Sequence, residues 1–380
     1  MTLLVACDRK AAPVMPRASS DAIPTTAVAL SGLPSSSAAI ASSSATPSAS
    51  APSAAPGQAS RVDYQDTAMG TSVHFIAYSN ESASEDAVKA AMQRALAEMR
   101  RLEAMLSEWH DDSEVGMINL KTGEWVTVSP ETFEVISRAQ QESVASHGTF
   151  DITFQAMSGL WKFGSAADEH PSVPPKAEIE KRRKLIDYRK VELDPQKHAV
   201  RLAKDHKIGL GGIAKGYIVD RAADVLKRAG VRDFLVQAGG DLFGAGRKPD
   251  GSPWVSGIQD PRGEQGKFFA TIELTNHAFS TAGDYARAYV IDGKRYHHII
   301  DPRTGYPATA SRSVTVWAED ATTADAIDDA VFILGPKEGL KLVEATPGVG
   351  VVIVDKDNRV WVSERLAGKV HIEGKPTDGI

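Results

Sequence analysis

The sequence places three aspartates within one turn of a predicted helix. In TTADAIDDAVFILG, residues 322–335, Asp325, Asp328 and Asp329 stand at i, i+3 and i+4, which brings their carboxylates to one helix face. Like charges this close cost on the order of 0.2–0.5 kcal/mol per pair. A hard cation such as Mg²⁺ would remove that cost, because it prefers oxygen ligands. The three aspartates are therefore candidate metal ligands.

The same stretch also fits the solvated start of a helix. Thr322 is a suitable N-cap, Asp325 follows three residues later as in a capping box, and acidic side chains favour the positive end of a helix. The opposite face carries apolar side chains suited to a core: Ile327, Ala330, Val331 and Leu334. Taken alone, the stretch leaves both interpretations open.

A glycine turn precedes a second predicted helix. In GLGGIAKGYIVD, residues 209–220, Gly211 and Gly212 come before the helix and Lys215 lies in its first turn. Glycine lets the backbone approach a ligand closely, and a helix N-terminus offers free N–H groups to phosphate. The turn is a candidate diphosphate cradle, although it matches neither the GxGxxG nor the P-loop pattern. An ordinary turn before a helix is the alternative.

A histidine pair lies in RYHHIIDPRTGYP, residues 295–307. Strand alternation would place His298 and Ile300 on one side and His297 and Ile299 on the other. A histidine next to the acidic turn that follows could act as a general base near neutral pH. A structural or solvated pair is the alternative. Ligand spacing of the His/Cys zinc type is absent from the sequence.

A mixed scaffold must position these segments. Helical periodicity predicts helices over 84–106 and 130–146, and a third that runs from the glycine turn to about Ala229. Hairpin-linked strands mixed with helices indicate an α/β or α+β fold and no regular βαβ series. Strands are predicted over 71–78, 234–237, 267–275, 286–292, 313–318 and 349–354, with a hairpin over 190–203 and a charged, proline-containing insertion over 165–187.

Composition bounds the possible functions. The 380 residues allow one large domain or two ordinary ones, and 42% hydrophobic with 24% charged residues is normal for a globular protein. A formal net charge of −6 gives no reason to expect a nucleic-acid partner. No run of about 18 apolar residues follows the start, so no membrane-spanning helix is predicted. The one cysteine, Cys7, allows no intramolecular disulfide.

The N-terminal segment has the composition of a tether. Leu4-Val5-Ala6-Cys7 matches the end of a bacterial lipoprotein signal, although only six residues precede Cys7 and the basic and apolar regions are incomplete. An ordinary cysteine is the alternative. Residues 18–60 are almost wholly Ala, Ser, Pro, Thr and Gly, which is typical of a disordered spacer. The predicted organisation is a partial lipoprotein signal at 1–7, a linker at 8–61 and a folded domain at 62–380.

Eight blocks follow one another along the chain. They are MGT (69–71), SEWHDDSEVGMIN (107–119), GTFDIT (148–153), GLGGIAKGYIVD (209–220), QAGGDLFGAG (237–246), STAGDYARAY (280–289), HHIIDPRTGYP (297–307) and TADAIDDAVFILG (323–335). In this order they resemble the ApbE family of bacterial FAD:protein FMN transferases. The resemblance covers roughly residues 64–364. It implies a single T-fold-like α/β domain with a mixed, largely antiparallel sheet. It also implies an inner-membrane lipoprotein that faces the periplasm.

The resemblance implies an Mg²⁺-dependent transferase. Such an enzyme moves FMN from FAD to a threonine of a target protein through a phosphoester, and AMP leaves. Two alternatives remain open from the sequence. The protein could hydrolyse FAD to FMN and AMP, or it could be a non-catalytic lipoprotein that binds FAD.

The resemblance also implies roles for particular residues. His298 matches the histidine that accepts the threonine proton, and Asp325, Asp328 and the backbone at Gly212 match metal contacts. Asp329 stands where the family commonly has a threonine, and a carboxylate can also bind Mg²⁺. Flavin-nucleotide contacts are implied for Met69, Trp109, Thr149, Phe150, Asp151, Gly209, Lys215 and Ile300, although Gly209 stands where the family commonly has an aspartate.

Overall fold

The computed structural model describes residues 59–163, 171–264 and 266–379. The predicted lipoprotein signal at 1–7 and nearly all of the predicted linker at 8–61 lie outside the described residues. The first strand begins at Arg61, next to the predicted start of the folded domain. Within the described ranges, no helix combines the length and apolarity needed to cross a membrane.

The helices follow the predicted periodicity, and serines cap the first three of them, Ser113 by accepting a hydrogen bond from Gly116 N. Ser84 accepts a hydrogen bond from Ala87 N at the start of α1, and Ser129 accepts one from Thr132 N at the start of α3. The predictions over 84–106 and 130–146 are confirmed. The α-helices are α1 (Glu85–Leu106), α2 (Glu114–Leu120), α3 (Pro130–Ala145), α4 (Lys176–Arg183), α5 (Ala214–Arg228) and α6 (Ala321–Ala345), with 3₁₀ turns at Ile152–Met157, Tyr188–Lys190 and Glu364–Leu366.

The strands include all those predicted, together with several that the sequence reading did not assign. The described strands are β1 (Arg61–Ala68), β2 (Thr71–Tyr78), β3 (Trp125–Thr127), β4 (Val191–Asp194), β5 (Ala199–Leu202), β6 (Phe234–Ala238), β7 (Asp241–Ala245), β8 (Trp254–Gln259), β9 (Phe268–Leu274), β10 (His277–Gly283), β11 (Ala288–Ile291), β12 (Lys294–His297), β13 (Ile300–Asp301), β14 (Tyr306–Pro307), β15 (Ser311–Ala318), β16 (Gly350–Asp355), β17 (Val360–Val362) and β18 (Val370–Ile372).

An eight-stranded sheet forms the centre of the domain, in the order β1-β2-β6-β7-β10-β15-β16-β17. Each neighbouring pair in this sheet is antiparallel. Both faces are buried, because alternate residues enter different cores. In β2, Phe75 packs with α1 and α5, whereas Ile76 packs against β8 and β9 on the other face. The predicted largely antiparallel α/β fold is confirmed.

Helix α6 begins earlier than the sequence predicted. Its N-cap is Asp320, whose side chain accepts a hydrogen bond from Thr323 N, so the assignment of Thr322 as the N-cap was wrong. Thr322 lies inside the helix and is buried. The helix breaks at Gly335, with φ 74° and ψ −178°, before Pro336 and then continues to Ala345. The predicted insertion over 165–187 also contains a helix, α4.

Helices α5 and α6 approach each other at a glycine. A β-carbon on Gly216 would collide with the carbonyl oxygen of Ala321, so the close crossing requires glycine there. Asp220 of α5 accepts hydrogen bonds from Ala321 N and Thr322 N, both at 2.8 Å. These contacts set the first turns of the two helices side by side. They bring the glycine turn and the aspartates together.

Candidate active site

All the site residues that the sequence predicted line one cavity of about 1200 Å³. The cavity lies where the glycine turn, α6 and the ends of the central strands meet. It is larger than most small-molecule sites and has room for a dinucleotide together with part of a second molecule. The predicted residues in its lining are Met69, Trp109, Thr149, Phe150, Asp151, Gly209, Gly212, Lys215, His298, Ile300, Asp325, Asp328 and Asp329.

Lys215 is the centre of an ionic cluster at one end of the cavity. Its Nζ lies 2.7 Å from Asp241 Oδ2 and 3.2 Å from Asp325 Oδ1. Asp325 Oδ2 also accepts a hydrogen bond from Gly216 N at 2.9 Å, in the first turn of α5. Asp325 is 3% exposed and Asp328 4% exposed, so this face of α6 is buried and is not a solvated helix cap.

Ser280 links two carboxylates of this cluster. Its hydroxyl lies 2.5 Å from Asp241 Oδ1 and 2.6 Å from Asp328 Oδ2. A hydroxyl carries one hydrogen, so it can donate to only one of them at a time. The other contact is a hydrogen bond only if that carboxyl is protonated. The arrangement therefore favours a proton shared within the cluster.

The pKa values reflect the excess of negative charge. Burial raises the pKa of Asp325 to about 7, and the carboxylate of Asp241 adds to the effect. Burial likewise raises the pKa of Asp329 to about 6, and it raises the pKa of Asp328 well above its usual value. Burial alone would lower the pKa of Lys215, but the neighbouring carboxylates raise it, so the ammonium stays charged.

Asp329 has a different environment from its two neighbours. It is partly exposed, and no hydrogen bond joins its carboxylate to another described residue. Its Oδ2 would lie 3.4 Å from a β-carbon placed on Gly212, and Phe150 would lie 3.2 Å from the same atom. The glycine turn and Asp329 therefore meet across a narrow part of the cavity. Any substrate group held by the turn would lie beside this carboxylate.

His298 lines the same cavity, and its ring is neutral. Burial lowers its pKa to about 3, and the charge of Arg287 contributes. Its backbone N–H donates to Arg287 O at 3.2 Å, while its buried Nδ1 has no hydrogen-bond partner among the described residues. A neutral imidazole with an unused nitrogen can accept a proton from a bound molecule.

The two histidines lie on different sides of the chain, as predicted, His297 with Ile299 and His298 with Ile300. The ring of His297 packs edge-on against Phe332 in the core behind α6, 5.5 Å between ring centroids. Ile299 belongs to that same core, whereas Ile300 packs in a separate aromatic cluster and lines the cavity. Strand β12 ends at His297, so His298 lies just beyond the strand.

The predicted flavin contacts differ in how free their polar groups are. Trp109 is 73% exposed at the cavity mouth, so its ring is available for stacking. The carboxylate of Asp151 accepts hydrogen bonds from Thr153 N, Thr153 Oγ1 and Tyr188 N, at 2.8, 2.6 and 2.8 Å. The hydroxyl of Thr149 donates to Ser146 O at 2.8 Å. These two side chains shape the wall, and their predicted contact with the nucleotide stays a prediction.

Sequence reasoning missed two members of the ionic cluster. Asp241 and Ser280 both stood in segments singled out as polar or glycine-rich, but neither was assigned a role. A buried aspartate directly after Gly239-Gly240 was an available signal, since the glycines let the chain turn inward. The link between Asp241 and Ser280 depends on the pairing of β7 with β10, which no local pattern shows.

Fold and site together define an α/β domain whose cavity is lined by a glycine turn, a lysine, a histidine and several aspartates. Comparisons with known proteins agree, since the model of the ApbE family matches residues 69–353. The chain is 31% identical over 320 residues to FAD:protein FMN transferase from Treponema pallidum, covering 80% of this chain and 87% of that protein. A protein of the same name from Klebsiella pneumoniae is 30% identical over 308 residues, with coverage of 78% and 86%. The chain belongs to the ApbE family.

Solved structures support the same assignment. The crystal structure of the ApbE protein from Thermotoga maritima has a TM-score of 0.73 and 37% identity, covering 82% of this chain and 99% of that one. The flavin transferase ApbE from Vibrio cholerae has a TM-score of 0.72 and 28% identity, covering 82% and 100%. The likeness extends over almost the whole of both solved chains.

Proposed function

We propose that this protein transfers FMN from FAD to an acceptor protein. The observation that carries the proposal is the meeting of the Gly211–Gly212 turn, Lys215, the aspartates and His298 in one cavity. The curated relatives named above are FAD:protein FMN transferases, and they match most of the chain. The cavity volume of about 1200 Å³ accommodates FAD and the side chain that receives FMN.

The residues of the cluster fit a divalent cation. Around Lys215 stand four aspartates, at 241, 325, 328 and 329, so carboxyl groups outnumber the ammonium, and burial raises the pKa values of Asp325 and Asp328. No set of three or more His, Cys, Asp or Glu side chains in the described ranges is arranged to hold a metal alone. Mg²⁺ commonly uses one or two carboxylates and completes its shell with substrate phosphates. Its candidate ligands are Asp325, Asp328, Asp329 and the backbone at Gly212, which all line the cavity.

A bound Mg²⁺ would neutralise charge on the diphosphate and on the departing AMP. The remaining work falls to the protein. The ammonium of Lys215 and the backbone of the Gly211–Gly212 turn orient the diphosphate, because glycine lets the chain approach a ligand closely. The buried wall around Phe150 limits the access of water to the phosphorus.

His298 is the proposed base. The acceptor, by the family resemblance a threonine, attacks the FMN phosphorus through its hydroxyl oxygen, and the imidazole takes the proton. The bond between that phosphorus and the bridging oxygen breaks, so AMP leaves with the bridging oxygen. The negative diphosphate would raise the low pKa of His298 when FAD binds, because opposite charge favours the protonated form.

Incubation with FAD, Mg²⁺ and a flavin-acceptor protein tests the proposal. Covalent flavin on the denatured acceptor, with AMP released, supports transfer. Free FMN and AMP without labelled acceptor would indicate hydrolysis, and intact bound FAD would indicate storage. His298→Ala should abolish labelling and leave FAD affinity near that of the wild type. Unchanged labelling would remove His298 as the base.

We also propose that Cys7 carries a lipid and that residues 8–61 tether the domain to the periplasmic face of the inner membrane. The lipoprotein-like Leu4–Cys7 segment and the Ala/Ser/Pro-rich composition support this proposal. Fractionation of cells that express the wild type and Cys7→Ser provides the test. The wild type should sediment with membranes and the variant should not. Equal distribution of the two would contradict the tether.

A further inference from the structure

Gln155 differs from the other glutamines of the cavity wall. Its side chain is 9% exposed, yet its amide makes no hydrogen bond to any other described residue. Gln237 donates from Nε2 to Gly239 O at 3.1 Å, and Gln259 donates to Asp260 O at 3.1 Å. Neither polar atom of this amide is among the fully enclosed, unpaired side-chain atoms of the described residues, so the amide opens onto the cavity. Gln155 therefore has hydrogen-bonding capacity that the protein itself does not use.

The glycine turn leaves room for this amide. A β-carbon on Gly209 would lie 2.7 Å from Gln155 Oε1 and 3.1 Å from its amide carbon; the first distance is shorter than side chains tolerate, so the amide would have to shift. Gly209 N donates to Ile152 O at 2.9 Å, which holds the turn against the segment that carries Gln155. The amide thus occupies the space that a side chain at 209 would need, two residues before the Gly211–Gly212 turn.

The chemistry of the amide indicates what it can recognise. A primary amide presents an N–H donor and a carbonyl acceptor side by side in one plane. Its complement is the edge of a planar nitrogen heterocycle with a donor next to an acceptor. Phe150, Phe154 and Met157 line the cavity along the same segment and offer apolar surface for such a ring. Both ring systems of FAD carry an edge of this kind.

We propose that the Gln155 amide hydrogen-bonds to the polar edge of one ring of the bound dinucleotide and so contributes to substrate specificity. This role rests on the proposed function, because it takes FAD as the ligand. This role also explains why position 209 carries no side chain, since a β-carbon there would displace the amide. It also makes Gln155 and Gly209 a coupled pair, since neither can change size without moving the other.

Calorimetric titration of FAD, FMN and AMP into the wild type and Gln155→Leu tests the proposal. Leucine keeps the approximate size and removes the amide. Its affinity for FAD should fall on the order of tenfold or more, the usual effect of leaving a buried polar partner unpaired. A parallel loss for FMN assigns the flavin ring, and a parallel loss for AMP assigns adenine. Either result supports the proposal.

Gln259→Leu is the matched control, because its amide is already bonded to Asp260 O and Glu264 O. This change should lower thermal stability and leave the affinity for FAD within about twofold. Equal FAD affinity of the wild type and Gln155→Leu would overturn the role of Gln155 alone. Failure of the wild type to bind FAD would overturn the proposed function and this role together.

A second variant tests the coupling without deleting the amide. Gly209 has no positive φ, so alanine fits its backbone, but the added β-carbon must push the Gln155 amide aside. Gly209→Ala should therefore weaken FAD binding as Gln155→Leu does. The double variant should lose little more than either single change, since both remove one interaction. Fully additive losses would contradict the coupling.

Discussion

Two ionic groups with buried members are built differently in this domain. Arg262 and Asp284 form a balanced pair with two contacts, 2.6 Å from Nη1 to Oδ1 and 2.7 Å from Nη2 to Oδ2. Their side chains are 8% and 9% exposed. The cluster around Lys215 sets one ammonium against several carboxyl groups, and burial raises the pKa values of Asp325 and Asp329 within it. The Arg262–Asp284 pair matches one charge with one opposite charge, whereas the cluster does not.

The difference separates a structural ion pair from a site prepared for a ligand. A bidentate arginine–carboxylate pair uses up the charge of both partners. A cluster with excess negative charge is stable only when it binds protons or a cation. This contrast explains why the acidic face of α6, and not the Arg262–Asp284 pair, is the proposed metal site.

Arg262→Ala should lower the free energy of unfolding by about 3–5 kcal/mol, because it leaves Asp284 buried without a partner. Urea denaturation of the purified domain measures the change. The paired substitution Arg262→Met with Asp284→Leu should recover most of the loss, since no unpaired charge remains. A loss below about 1 kcal/mol in the single variant would show that the pair is not a structural element.

Asp325→Asn should lower the rate of FMN transfer about 10²–10³-fold at low Mg²⁺, because it removes a carboxylate from the proposed metal site. The Mg²⁺ concentration needed for half-maximal rate should rise sharply. Initial rates of acceptor labelling across a Mg²⁺ series measure both effects. An unchanged metal requirement would contradict the assignment of Asp325.

The unfolding free energy of the Mg²⁺-free protein should fall as pH rises from about 4 to 7. Asp325 and Asp329 have folded pKa values of about 7 and 6, raised from the usual 3.8. At a pH between the usual value of 3.8 and these folded pKa values, the folded state holds protons that the unfolded state has released. The free energy of unfolding therefore declines as pH increases. Asp329→Asn should remove part of this decline, on the order of 1–3 kcal/mol. Parallel pH profiles for the two proteins would contradict the raised pKa.

Asp329→Thr should have the smallest effect. It removes one negative charge beside Gly212 and leaves an oxygen that can still bind Mg²⁺. Affinity for Mg²⁺ should weaken by a few-fold, while affinity for FAD without metal should improve by a few-fold as repulsion falls. Calorimetry with each ligand measures the two constants. If the affinities for Mg²⁺ and for FAD shifted in the same direction, Asp329 would not both bind the metal and repel the substrate, as proposed.

The sequence predicted the parts of this molecule that depend on local pattern. Helix α1 followed from its apolar spacing and from Ser84, and the acidic face of α6 and the glycine turn followed from their own motifs, whereas the flavin contacts followed from the resemblance to the ApbE family. The start of α6 was mispredicted because distant groups decide it. Arg138 of α3 pairs with Asp320 at 2.6 Å, and Asp220 of α5 receives the N–H groups of the first turn.

The unpredicted part of the site depends on which strands become neighbours. Ser280 on β10 reaches Asp241 on β7 and Asp328 on α6, residues separated by 39 and 48 positions in the chain. No periodicity within one segment shows such a contact. The unpaired amide of Gln155 could not be predicted from the sequence either, because it depends on how closely the backbone of Gly209 approaches that side chain.

Titration of Mg²⁺ into the ADP-bound protein at pH 8 tests whether the acidic face of α6 binds the metal. ADP supplies a diphosphate and cannot be transferred, so the measurement isolates metal binding. The wild type and Glu103→Gln, which removes a cavity carboxylate outside the cluster, should bind one Mg²⁺ with similar affinity. Asp325→Asn should bind at least tenfold more weakly. Equal affinity in all three proteins would contradict a metal site at the acidic face of α6.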